Sequence, residues 1–112
     1  RRIQRILDQT FQDFELLYLD YASQDNSNDV VALFLDDSRI KTVVNQTNTG
    51  IPFKQWNKGV GLARGEYIWL AESDDYADPM FLETMVGVLE RNPAVGVAYC
   101  QSWSVDEKDQ II

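Results

Sequence analysis

Apolar positions recur along the chain with two different periods, and the period changes mark its elements. Residues 2–9 place Ile3, Ile6 and Leu7 at helical spacing, with no capping residue ahead of them. Phe14 to Leu19 reads as a strand that ends at Asp20. Polar residues 22–29 form a loop in which Asp25, Asn26 or Ser27 is placed to cap a helix over about 28–36, burying Val30, Val31 and Phe34. Ile40 to Val44 is a second strand, followed by the turn-like run Asn45 to Gly50. Pro52 suits a first helical turn, with Phe53, Trp56, Val60 and Ala63 as the buried stripe and Gly65 as the C-terminal cap.

Tyr67 to Ala71 is apolar on both faces, as a central parallel strand should be. Asp78-Pro79 forms an N-cap and first-turn pair for a helix that buries Leu82, Met85, Val86 and Leu89 and stops at Asn92-Pro93. Val95 to Tyr99 is the last strand, and a hairpin is expected around Asp106. Strands alternating with helices predict an α/β domain with a mainly parallel sheet.

Composition narrows the chemistry. The chain of 112 residues suits one small domain or part of a larger one. It carries 10 Lys plus Arg against 18 Asp plus Glu, a net charge of −8, which argues against a nucleic-acid partner. It has no histidine, which removes Ser-His-Asp and Cys-His catalysis and the usual zinc sites. The single Cys100 cannot form an internal disulfide, fits a reducing, cytoplasmic setting, and reads as a buried small hydrophobe. No apolar run is long enough to span a bilayer, and no signal peptide is visible.

Ligands of open α/β sheets bind at the carboxyl ends of the strands. Two of the predicted strands end in acids, at Asp20 and at Glu72-Ser73-Asp74-Asp75. Crowding carboxylates is costly: two unit charges about 4 Å apart repel by roughly 4 kcal/mol at an effective dielectric near 20. A hard divalent cation, Mg²⁺ or Mn²⁺, reverses that sign. In extended backbone, Glu72 and Asp74 point to one side and Ser73 to the other, so the two acids can share one ion or its bound water. The competing reading is a solvated acidic loop whose last acid, Asp78, caps a helix. Asp20 likewise either bonds loop amides or accepts hydrogen bonds from a base or ribose. Lys54 and Lys58 lie near one helix start and face either a diphosphate or solvent; Trp56 reads as core.

These runs together resemble the family-2 glycosyltransferases. Leu7 to Leu16 resembles the segment before that family's second strand, and Asp20 to Asp25 its acidic loop. Asn48 to Gly50, Asn57-Lys58-Gly59 and Ala63 to Ile68 resemble the run leading to its metal motif. Glu72 to Asp75 falls on the D-x-D motif, and Pro79 to Leu82 and Asn92 to Tyr99 continue the match. The resemblance implies a GT-A fold, a Rossmann-like nucleotide-sugar-binding domain, with residues 1–112 as an incomplete one. The family's first strand would precede residue 1, between the strands ending at Asp20 and Glu72. Its acceptor half, with the general base, would follow Ile112, leaving this chain without a catalytic base.

The resemblance also implies inverting sugar transfer from a nucleotide-diphosphate sugar to a saccharide or lipid-linked acceptor, in bacterial polysaccharide or cell-surface glycan synthesis. The setting would be cytoplasmic or at the inner face of the cytoplasmic membrane, with a homo-oligomer left open. Asp20, Lys58, Glu72, Ser73 and Asp74 would bind the nucleotide sugar. Asp74 and Glu72 would hold Mg²⁺ or Mn²⁺, with Asp75 supporting the loop. Three departures stand out: Tyr21 where a second Asp is common, Trp56 where an Arg is often found, and Glu72 for the first Asp of the motif. Lys54 or Lys58 would replace the charge missing at Trp56. The alternative is a non-catalytic nucleotide- or metal-binding α/β module, and a third reading is an acidic interaction domain with no ligand.

Overall fold

A computed structural model describes residues 1–20, 25–44 and 51–112. The elements are α1 (Arg2–Leu7), β1 (Leu16–Asp20), α2 (Ser27–Ala32), β2 (Ile40–Val44), α3 (Pro52–Leu62) and α4 (Phe81–Arg91). Strands β1 and β2 pair in parallel with flush ends, Leu16 opposite Ile40 and Asp20 opposite Val44. Parallel pairing needs a crossover, and α2 with its flanking turns supplies it. The predicted turn at Asn45 to Gly50 and the departure at Tyr21 lie outside the described residues.

The core is small. Ile6 and Leu7 of α1, Val31 of α2 and Ile40 of β2 are its buried apolar members among the described residues. Helix α2 ends four residues before the expected 36. Its continuation is a series of tight turns in which the N–H groups of Leu33, Phe34 and Leu35 donate to carbonyls three residues back. Val31 is buried, but Val30 is exposed and Phe34 half-buried. Asn26 occupies the N-cap without a side-chain bond, and the Asp25 carboxylate instead accepts the Ser27 N–H at 2.9 Å.

Helix α3 starts with Pro52 at its first turn, as predicted, but its stripe is not core. Phe53 and Val60 are exposed, Trp56 is half-buried, and the buried residue is Gln55. The helix meets β1 closely at Gly59, where an added Cβ would stand 2.7 Å from Leu19 Cδ1. Phe53 packs edge-on against Trp56 at 5.1 Å. The C-cap is Ala63, in extended conformation, rather than Gly65.

Residues 67–71 and 95–99 are not strands. A ladder requires a neighbour, and no described segment pairs with either run. The first of them still packs as a strand would. Trp69 lies 4.8 Å from the Phe81 ring of α4, and burial first, then Glu66 and the α4 residue Glu90, raise the Tyr67 phenol. The second is open, with Tyr99 90% exposed and Cys100 exposed rather than buried. The expected hairpin around Asp106 is present. Val105 and Ile111 form an antiparallel bridge, and the Asp106 carboxylate accepts the N–H groups of Lys108 and Gln110 at 2.8 and 2.9 Å.

Two polar clusters fasten these parts. Gln9, 1% exposed, is the one fully buried side chain of any size among the described residues. Its amide donates to the Asp78 carbonyl at 2.7 Å, and its carbonyl accepts the Leu82 N–H at 3.0 Å. The first N–H groups of a helix have no partner within it, so Gln9 caps α4 from a distant part of the chain. This displaces the expected role of Asp78, whose carboxylate bonds the Met80 N–H at 2.8 Å, Met80 being the actual N-cap. The apolar residues of α4 are half-buried rather than core.

The second cluster sits at the amino ends of β1 and β2. Glu15 accepts the Arg64 N–H at 2.7 Å and pairs with Arg64 and Lys41, while Arg39 grips Asp37 with two nitrogens and reaches Gln12. The Arg64 amide, Lys41 and the Arg64 side chain hold the Glu15 carboxyl at about 2, and Arg39 holds Asp37 at about 2. Both lie below their ordinary values of 4.5 and 3.8, so their contribution to stability is present above about pH 4.5 and is lost as pH falls towards 2.

Two outcomes are expected. Gln9→Leu removes both bonds while keeping the volume, and should lower unfolding free energy by about 2–3 kcal/mol in urea titration, the scale of buried polar groups left unmade. Acid unfolding followed by circular dichroism should show stability falling between about pH 4.5 and 2, and Glu15→Gln should flatten that slope.

Candidate functional site

Asp20 closes β1 at its carboxyl end and is 2% exposed. The parallel pairing puts it level with the last residue of β2, the edge where such sheets hold ligands. Asn28, on the first turn of α2, donates to Asp20 Oδ2 at 3.3 Å. Asp25 sits nearby: burial first, then Asp20 and Asp25, raise the Tyr18 phenol, with Ser27 opposing. Hydrogen bonds from Ser27 in turn hold the Asp25 carboxyl below its ordinary value. This edge thus gathers two acids, the buried Asp20 at the end of β1 and the exposed Asp25 just before α2.

Lys58 lies exposed in α3, one residue before the Gly59 contact with Leu19, so α3 carries it alongside β1. Lys54 is also exposed.

Glu72, Ser73, Asp74 and Asp75 are all exposed and lie in a bend between residues 67–71 and α4. Among the described residues, no three carboxylate or thiol side chains converge as a metal cage. The donor set is nevertheless all hard oxygen, and a magnesium-type ion commonly takes only one or two carboxylates, completing its shell with waters and substrate phosphates. The residues present fit such an ion.

The acidic bend has basic neighbours that the residue pattern does not announce. Burial lowers the Arg2 guanidinium from its ordinary value, Asp75 and Asp74 pull it back up, and Arg5 pushes it down. Arg2 also stacks over Trp69 at 4.9 Å, and its Nε is buried without a hydrogen-bond partner. Arg5 and Arg1 lie over the ring of Tyr76 at 4.1 and 5.4 Å. The Tyr76 hydroxyl donates to Asp109 Oδ1 at 2.6 Å, and Arg1 pairs with the other oxygen of that carboxylate. The one sequence signal is the four-residue spacing of Arg1, the N-cap of α1, and Arg5 within the helix.

Comparison with known proteins shows the family of the chain. A profile of the family described as "Glycosyl transferase family 2" matches residues 1–111. The chain is 32% identical to the glycosyltransferase GlyG of Streptococcus pneumoniae over 108 residues, covering 96% of this chain and 35% of that protein. It is 30% identical over 112 residues to an uncharacterized glycosyltransferase of Methanocaldococcus jannaschii, covering 98% of this chain and 38% of the other. It is 28% identical over 104 residues to the glucosyl-dolichyl phosphate glucuronosyltransferase of Haloferax volcanii, covering 90% and 33%. Among solved structures, that of S. aureus TarS 1-349 in complex with UDP superposes with a TM-score of 0.76 at 24% identity, over 82% of this chain and 28% of that one. The chain spans about a third of the length of these relatives.

If Asn28 anchors Asp20, then Asn28→Ala should leave secondary structure intact and lower the unfolding free energy by about 1–2 kcal/mol in urea titration, the scale of one part-buried hydrogen bond to a carboxylate.

Proposed function

The chain belongs to glycosyl transferase family 2, and from that premise we propose that it forms the donor-binding part of an inverting sugar transferase. Its fold is the α/β GT-A type, of which it describes a partial domain. The donor is a nucleoside-diphosphate sugar, and the acceptor a saccharide or a lipid-linked sugar in polysaccharide or cell-surface glycan synthesis. The UDP in the TarS structure and the glucosyl-dolichyl phosphate in the name of the Haloferax relative support these two classes.

The observation that carries this reading is the buried Asp20 at the carboxyl end of a parallel strand, in a chain matched to the family over its length. Asp20, fixed in part by Asn28 at the carboxyl edge of the strand pair, is the residue we assign to the base or ribose. Lys58, carried by α3, faces the diphosphate and offsets part of its charge. Ser73 and Glu72 bind the nucleotide sugar, Glu72 through the ion, its water or the ribose. Asp74, with Glu72, holds Mg²⁺ or Mn²⁺, and that ion supplies stabilisation of the diphosphate leaving group. No residue of 1–112 is assigned as general base. No helix among the described residues is long and apolar enough to cross a membrane. The proposed setting, in the cytoplasm or at the inner membrane face, rests on the family likeness alone.

The test is titration with UDP and other nucleoside diphosphates, with and without Mn²⁺, on the parent and on Asp74→Ala. Manganese-dependent binding that the substitution takes below detection is the expected result. No nucleotide binding by the parent under any condition would sink the reading. Binding without an acceptor-linked sugar product, in the full-length protein, would instead support the non-catalytic module.

A further inference from the structure

The cluster around Tyr76 joins three separate parts of the chain directly beside the acidic bend. Tyr76 is two residues after Asp74 and leads to the start of α4. Its ring lies under Arg5 of α1 and Arg1, the N-cap of that helix, and its hydroxyl is held by Asp109 of the 105–111 hairpin. Asp109 adopts a left-handed backbone, φ 63°, at the hairpin turn, a conformation that Asp tolerates better than most residues. Arg1 closes the ring of contacts by pairing with that same carboxylate. Tyr76, Arg1 and Asp109 are all substantially exposed, so each contact is weak by itself. What the cluster provides is constraint. Glu72 to Asp75 is an exposed bend with no strand ladder to fix it. On its carboxyl side the cluster anchors it to two other segments, and on its amino side Trp69 is held between Arg2 and Phe81.

We infer that Tyr76, fixed by Asp109, Arg1 and Arg5, is a positioning residue for Asp74, and that the 105–111 hairpin sets the geometry of the metal site without touching the metal. The inference rests on the reading of Asp74 as a metal ligand. A ligand held in one place binds more tightly than one that must be ordered on binding, and groups that orient ligands commonly contribute about 10–100-fold in metal affinity.

The experiment measures Mn²⁺ affinity by electron paramagnetic resonance, with UDP present, on the parent, Asp74→Ala, Tyr76→Phe, Asp109→Asn and the Tyr76→Phe/Asp109→Asn double variant. Tyr76→Phe keeps the ring and its stacked cations and loses only the hydroxyl. Expected are unchanged circular dichroism and an affinity about tenfold weaker in each of Tyr76→Phe and Asp109→Asn. The double variant should be no weaker than Asp109→Asn alone, because both substitutions act on the Tyr76–Asp109 contact, while Asp109→Asn also removes the charge that pairs with Arg1. Parent affinity in both single variants, with Asp74→Ala abolishing binding, would overturn the positioning role and leave the donor site standing. Equal binding by the parent and Asp74→Ala would overturn both. An affinity loss in proportion to a lost fold, seen as a matching fall in thermal midpoint, would also overturn the positioning role.

Discussion

The helix that follows the acidic bend depends on a single buried amide. A helix start exposes N–H groups that the helix itself cannot satisfy, and in this chain the partner comes from Gln9, more than seventy residues away in sequence. The same side chain donates to the Asp78 carbonyl, and Thr10 adds a backbone bond to Pro79 and a hydroxyl bond to Glu83. The loop leaving α1 therefore fixes where α4 begins. That in turn fixes the downstream end of the segment carrying Glu72, Ser73 and Asp74. Burying a polar amide is unfavourable unless every group is matched, and here both halves of the amide are.

The elements that could be read from the sequence are those whose information is local. Ile40 to Val44 is a strand with the bounds its apolar run suggests, and Pro52 opens its helix where a missing N–H costs nothing. The Asp106 hairpin follows from one carboxylate that can take two N–H groups. What could not be read is whatever needs a partner. Tyr67 to Ala71 has the composition of a central strand, but composition does not supply a neighbour, and the run lies along α4 without a ladder. Phe53 and Val60 have helical periodicity, yet periodicity identifies a face and not what covers it.

The same limit applies to the site. Asp20 was visible as an acid closing an apolar run, but nothing in that run announced that it is buried. The acidic bend was visible as an excess of charge. The arginines of α1 that approach it were not, since a cation earns its position from the fold and leaves no signature in its own residue type. Gln9 was equally hidden: between an apolar helix and a polar loop, nothing distinguishes a buried glutamine from a solvated one.

The ion pairs of the strand pair are gathered at its amino end. Glu15, Arg39, Lys41 and Arg64 all meet there, while Asp20 stands at the opposite end, a strand's length away. The two ends are therefore separable under mutation. A lineage can change the residues around Asp20 while the charged end keeps the strands in register, and it can also tune acid tolerance at that end without disturbing the other. Such a layout is favourable for diversification: one edge of a two-stranded frame is free to drift while the other keeps the frame folded.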